Sequence, residues 1–364
     1  MIETLFSIKR ALASMVLTAL MAGGIKAQIR LDTSSFIRHN QSILSLVVYV
    51  SDSLAYAQSF NGHSNDDLFN NQSLTKNVMA LLIGIAIDKG YIDSLDVPIA
   101  NFFPELKKDP DGRKAKITLR EIMNQASGLW HENLENLGQY LSLNNPSGYV
   151  LQQPLVAAPG TVLHYNNAAS HLMSVILSKA TGQSTLAFAK KYLFAPLQIS
   201  RVKWPEMKDS YYDGCGLLSV HMSAADMNKI GRLILQRGKF NGKQIVSKRW
   251  TKSLLRPEKT YPAPWGLLNT TYGLTFYHKL YHNLPVTYGM GWAGQFLILI
   301  PDLQAVIAVN QVVDDRTAVR QSAFFMDRIL PLIINQIVAQ ENNGDSFGLS
   351  SLNKRIDPAI LSLR

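Results

Sequence analysis

A stretch of ten residues, Val78-Met79-Ala80-Leu81-Leu82-Ile83-Gly84-Ile85-Ala86-Ile87, is apolar at every position. A helix that is apolar all round has no face to offer water and must be enclosed by the rest of the protein. Ser73 opens this run, and Lys89-Gly90 closes it as a helix C-terminus would. The chain therefore has to build around a buried central helix. Its 364 residues, 47% apolar and 17% charged, suffice for one large two-lobed domain.

Strand signals lie toward both ends. Ile43–Val50 is β-branched and apolar, and Ser51-Asp52-Ser53 supplies a turn before residues 54–60, which predicts a hairpin. A polar, Asn-rich stretch, 61–71, leads to Ser73. After residue 270 strand character returns, with Gln295–Ile300 and 305–310 joined by Pro301-Asp302-Leu303. Between these ends the pattern is mostly helical. Thr118 and Glu121 make a capping box, 168–180 is closed by Gly182, and 223–236 is capped by Ser223. Residues 321–340 read as a closing amphipathic helix, and the tail beyond Asn342 reads as loose. The expected fold class is α/β of the α+β type: an antiparallel sheet from N- and C-terminal segments, flanked by helices, with an inserted helical lobe.

Lys9 and Arg10 precede an apolar run, 11–25, and Ala27 offers a small residue for cleavage, the layout of a secretory signal. The run falls short of the ~20 residues of a comfortable membrane span. We therefore expect residues 1–27 to be a signal peptide, with no stable membrane insertion after its cleavage. Residues 28–364 would form one catalytic domain, with an α/β lobe about 28–90 and 270–340 and a helical lobe about 91–269. Cys215 is the single cysteine, so no internal disulfide can form, and export without disulfides suits a bacterial periplasm. The formal charge is +10, but Lys and Arg are scattered and not interleaved with aromatics, so nucleic acid is not an expected partner.

Three segments could carry chemistry. In Ser73-Leu74-Thr75-Lys76 the serine sits at a helix start, where free N–H groups favour developing negative charge, and Lys76 lies one turn on along the same face. The bland alternative is an N-cap serine with a surface lysine, yet a lysine opening an all-apolar helix is poorly explained that way. In Tyr165-Asn166-Asn167 a tyrosine hydroxyl can relay a proton and the Asn167 amide can bind a carbonyl or orient a lysine; the alternative is a plain turn. The third segment is Gly289-Met290-Gly291-Trp292-Ala293-Gly294-Gln295, immediately before a strand. It could pair with a peptide-like substrate and lend an N–H to an oxyanion hole, or be only a tight loop. No Gly-x-Ser-x-Gly elbow, paired-histidine ligand spacing or phosphate loop is present. No metal or cofactor is expected.

Taken in order, these segments resemble the serine β-lactamase and penicillin-binding-protein superfamily, nearest its class C-like, esterase-like branch, over about residues 43–312. Ile117-Thr118-Leu119-Arg120, Ala126-Ser127-Gly128-Leu129, Pro159-Gly160-Thr161, Gly214-Cys215-Gly216-Leu217 and Asn241-Gly242-Lys243 extend the similarity. The resemblance implies that Ser73 is acylated, that Lys76 and Tyr165 handle protons, and that Asn167, Gly291, Trp292 and Gln295 line the substrate site. It also implies an oxyanion hole of the Ser73 N–H and one near Trp292. The family often has Lys-Thr-Gly or His-x-Gly where this chain has Gly289-Met290-Gly291, so a cation for a substrate carboxylate is missing there. The expected function is an exported serine hydrolase of a small amide or ester. The alternatives are a penicillin- or cell-wall-fragment-binding sensor with little turnover, and a β-lactamase or D-Ala-D-Ala carboxypeptidase.

Overall fold

Ser51 and Asp52, both at positive φ, turn Ile43–Val50 (β1) back into Ser53–Ser59 (β2) as the expected hairpin. The computed structural model describes Leu31 and residues 41–343; the expected signal segment and the C-terminal tail lie outside the described residues. Five further strands in the C-terminal third complete one sheet with a short edge strand, Tyr261–Pro262 (β3). They are Thr270–Gly273 (β4), Phe276–Tyr281 (β5), Leu284–Gly291 (β6), Gln295–Ile300 (β7) and Ala305–Gln311 (β8). The spatial order is β2-β1-β8-β7-β6-β5-β4-β3, with antiparallel pairing throughout. Among the described residues the first strand thus lies beside the last strand, Val47 opposite Ala308, so the sheet joins N-terminal and C-terminal segments as expected.

Both faces of this sheet are covered, which explains why β7 and β8 lack polar–apolar alternation. Leu297, Leu299, Val306 and Ala308 face a core shared with the central helix Leu74–Asp88 (α1) and with Ala224–Leu235 (α4). Phe296, Ile298, Ile300 and Ile307 face the other way, onto Phe325, Ile329, Ile333 and Ile337. These last residues belong to a closing helical stretch, Ala318–Phe324 (α5) and Leu330–Asn343 (α6), joined through one wide turn at Phe325–Ile329. It begins three residues before the expected start at Gln321.

In α1 every residue from Leu74 to Ala86 is buried, which bears out the all-apolar reading. Its far side packs on residues of the middle of the chain, including Leu119–Met123 (α2) and Asn167–Thr181 (α3). Thr118 caps α2 in the expected capping box with Glu121, and Gly182 ends α3 in the left-handed conformation. The helix at 223–236 is found as α4, with the Ser223 side chain accepting from the Asp226 N–H.

Candidate active site

Ser73 is the N-cap of α1, yet its hydroxyl does not cap the helix. It accepts instead from Lys76 Nζ at 3.1 Å. The alternative of a capping serine and a surface lysine is thereby excluded: Lys76 is 1% exposed. Burying an amine on this scale requires partners, and Nζ has two more acceptors. Asn167 Oδ1 lies at 2.7 Å, and the Cys215 carbonyl makes a short contact. The three N–H donors of the side chain thus meet a hydroxyl, an amide and a main-chain carbonyl from three separate parts of the chain.

Each acceptor is held in place. Asn167 opens α3, and its Nδ2 donates to Glu132 Oε1 at 2.7 Å, which turns Oδ1 toward Lys76. Glu132 also accepts from the backbone N–H groups of Asn167 and Ala168, the open donors at the start of a helix. Cys215 sits in a loop wrapped around the buried carboxylate of Asp213, which accepts from the N–H groups of Cys215, Gly216, Leu218 and Ser219. Burial, with Asp213 adding to it, pushes the Cys215 thiol well up, so it stays protonated and contributes its carbonyl and not a thiolate.

Tyr165 joins the site by its ring. Lys76 Nζ lies 4.8 Å from the ring centroid, a cation–π contact. The exposed Trp265 packs beside the same ring at 4.7 Å, forming an aromatic wall that runs from the buried lysine to solvent.

The third segment enters through β6. Gly289, Met290 and Gly291 are the last residues of that strand, and Trp292-Ala293-Gly294 turns the chain into β7 at Gln295, so the segment does stand before a strand as expected and is not merely a loop. A side chain at 289 would point at α1, and one at 291 at the Asn71-Gln72 segment that leads into it. A Cβ on Gly289 would stand 2.1 Å from Asn77 Oδ1, and one on Gly291 2.6 Å from the Asn71 carbonyl. Only glycine lets the strand lie this close to α1 and to the residues that lead into it. Nor is β6 an edge strand over its length, since β5 pairs with it from Leu284 to Tyr288. The pairing stops there because β4 and β5 reverse at Leu274-Thr275, both at positive φ, and the tip is tied to α1 and α2. Asn77 Nδ2 donates to the Thr275 carbonyl, and the Leu274 and Thr275 N–H groups donate to Asn124 Oδ1 and the Met123 carbonyl. Gly289–Gly291 is consequently an open edge beside Ser73. The Ser73 N–H, at the open end of α1, meets no main-chain acceptor among the described residues.

Trp292 stands half-exposed at the β6–β7 turn, its Nε1 donating to Asp315 Oδ1 at 2.7 Å. Gln295 is not placed as expected. It is fully buried, its Nε2 donates to the Gln311 carbonyl, and its Oε1 accepts from Asn310 Nδ2 and the Gln311 N–H. No part of that amide is left for a substrate; Gln295 ties the turn to β8.

The structure therefore brings Ser73, Lys76, Tyr165, Asn167 and the Gly291 end of β6 together, and turns Gln295 away. Sequence reasoning missed Glu132, Asp213 and the Cys215 carbonyl. Asp213 stands directly before the noted Gly214-Cys215-Gly216 landmark, whereas no spacing rule points to Glu132. A separate cavity of about 440 Å³, lined by Phe103, Ser147, Lys179, Lys208 and Asp209 among others, includes none of the site residues.

The Beta-lactamase family model matches residues 35–323 of the chain. "Beta-lactamase-like protein 4" of Dictyostelium discoideum is 25% identical over 258 residues, 60% of this chain and 44% of that protein. The "6-aminohexanoate-dimer hydrolase" of Paenarthrobacter ureafaciens is 24% identical over 277 residues, 68% of this chain and 66% of that protein. The chain thus spans less than two thirds of the length of either relative. The solved class C beta lactamase of Rhodobacter sphaeroides superposes with a TM-score of 0.58 at 15% identity, over 81% of this chain and 97% of that one, a shared fold.

Proposed function

The chain belongs to the Beta-lactamase family, a family of serine hydrolases, and from that premise we propose that it cleaves a small amide or ester through an acyl-enzyme on Ser73. The observation that carries this reading is the Ser73 hydroxyl accepting from a buried Lys76 instead of capping its helix. A distance of 3.1 Å is within reach for proton transfer between the two groups.

In the proposed reaction Lys76 acts after losing one of its three protons to water, so that its lone pair faces Ser73. Ser73 Oγ then attacks the substrate carbonyl carbon and its proton passes to Lys76 Nζ, with Tyr165 assisting. The oxyanion is met by the Ser73 N–H and by an N–H at the Trp292 end of β6, where the open edge leaves donors unpaired. The C–N or C–O bond then breaks and the leaving amine or alcohol takes the proton. Water adds to the acyl-enzyme, releases the acid and restores the serine. Asn167 holds the lysine and offers its amide to the substrate. The absence of a cation at Gly289 supports substrates that need no carboxylate anchor, and the Paenarthrobacter relative, named for an amide-linked dimer, supports an amide. The basic head and apolar run of residues 1–27 support export to the periplasm, which the N-terminal mass of the protein recovered from that compartment tests.

The decisive experiment treats the protein and its Ser73→Ala variant with a fluorophosphonate, a chromogenic penicillin-like probe, short-chain p-nitrophenyl esters and linear amides. Labelling and turnover that both vanish in the variant are expected. Labelling without turnover of any substrate would indicate a sensor, and equal behaviour of the two proteins would remove Ser73 from the mechanism.

A further inference from the structure

One turn beyond Asn167 on α3, His171 is fully buried and plays no part in the reaction as described above. Its ring is held from both ends. The Gly214 N–H donates to Nδ1 at 3.3 Å, and Nε2 lies 3.2 and 3.1 Å from the two carboxylate oxygens of Asp209. An amide N–H can only donate and a carboxylate can only accept. Nδ1 therefore carries the lone pair and Nε2 the hydrogen, so the ring is neutral in a single tautomer. Asp209 is a suitable anchor. Burial opposes its ionisation, but hydrogen bonds led by that from His171 keep the carboxyl below the usual carboxylate range.

Gly214 is the residue before Cys215, whose carbonyl accepts from Lys76. The loop lies so close to α3 here that a Cβ on Gly214 would stand 2.9 Å from the His171 carbonyl oxygen. Asp213 gathers the N–H groups that follow, so the segment is clamped by Asp213 on one side and by His171 on the other.

We propose that His171 is a positioning residue for the hydrolysis. Backed by Asp209, it holds the Gly214–Cys215 segment so that the Cys215 carbonyl aims Lys76 Nζ at Ser73 Oγ. The inference rests on the reading of Ser73 as nucleophile and Lys76 as its proton partner. It assigns the function to one edge of the ring, Nδ1, and leaves the Asp209 edge in a supporting role.

That division makes the two closest amide replacements informative. In His171→Asn the amide oxygen falls near Nδ1 and can still accept from Gly214, while Asp209 loses its donor. In His171→Gln the amide reaches the Nε2 place and can serve Asp209, but the Gly214 N–H is stranded. Turnover of p-nitrophenyl butyrate and the rate of fluorophosphonate labelling are measured for both variants beside wild type and Ser73→Ala. We expect His171→Asn to stay within about threefold of wild type, and His171→Gln to lose roughly ten- to hundredfold in kcat and labelling rate, the scale of a misplaced reacting group, with KM little changed. A merely structural His–Asp pair predicts the opposite order. The reverse ranking, or two variants equal to wild type, overturns the proposal. If neither variant folds, nitrogen-15 spectra of the wild-type imidazoles decide: a neutral Nε2–H ring is expected at His171, and a protonated Nδ1 overturns it. Residual activity in Ser73→Ala would instead break the reading beneath, so the two failures are distinguishable.

Discussion

The oxygens around Lys76 explain how a primary amine is kept inside a hydrophobic core and aimed at a hydroxyl. Asn167 can serve only if its amide is turned the right way, and the Glu132 carboxylate, accepting from Asn167 Nδ2, sets that direction. In Glu132→Gln the new amide group competes with Asn167 Nδ2 as a donor, and Asn167 loses its orientation. A hydrogen bond to a charged group contributes about 1.5–3 kcal/mol, so we expect the fluorophosphonate labelling rate to fall about tenfold or more, with the protein still folded by circular dichroism. At this scale the legible residues were those with a local signature. Ser73 and Lys76 share a helical face, and Tyr165 and Asn167 stand at the start of α3. Glu132 and the Cys215 carbonyl carry no such signature, because each acts on a residue distant in the chain, while Asp213 gathers N–H groups of its own irregular loop, which no periodicity marks.

Among elements, β6 and the β4–β5 tip determine how Ser73 is presented. Gly289 lies against α1 so closely that Gly289→Ala must move either Asn77 or the strand. Asn77 also ties down the Thr275 tip, so the displacement should spread to the open edge beside Ser73. We expect Gly289→Ala to lose most ester turnover and to lower the thermal unfolding midpoint. His278 on β5 makes a pH-dependent contribution. Burial, only partly opposed by its hydrogen bond to the Gly273 carbonyl, pushes its pKa down to about 4. As pH falls through the ordinary histidine range near 6.5, the unfolded chain takes up this proton before the folded one. Stability contributed by the neutral ring is therefore complete above about 6.5 and declines as pH drops toward about 4. Urea unfolding across that window should show the decline, and His278→Gln should flatten it.

On the scale of the whole molecule, the sheet is a septum with a core on each face, and Phe325 fills one of them, stacked on Phe296 at 5.4 Å. Phe325→Ala should cost about 3–5 kcal/mol in chemical unfolding, as large-to-small changes of a buried aromatic do, while leaving the Ser73 labelling rate near wild type because the site lies on the other face. The amino-acid sequence alone determined the buried helix, the capped helix starts, the hairpins and the pairing of Ser73 with Lys76, since each depends on periodicity or spacing within a few residues. It also placed strands at both chain ends. The eight-strand order, the open edge at Gly289–Gly291, the inward turn of Gln295 and the clamp on Cys215 were decided only in the tertiary structure. Each depends on which groups come to share one buried space, and hydrogen bonds made outside helix or strand periodicity, whether to a neighbouring strand as at Gln295 or across the chain as between Asn77 and Thr275, leave no periodic trace in either segment.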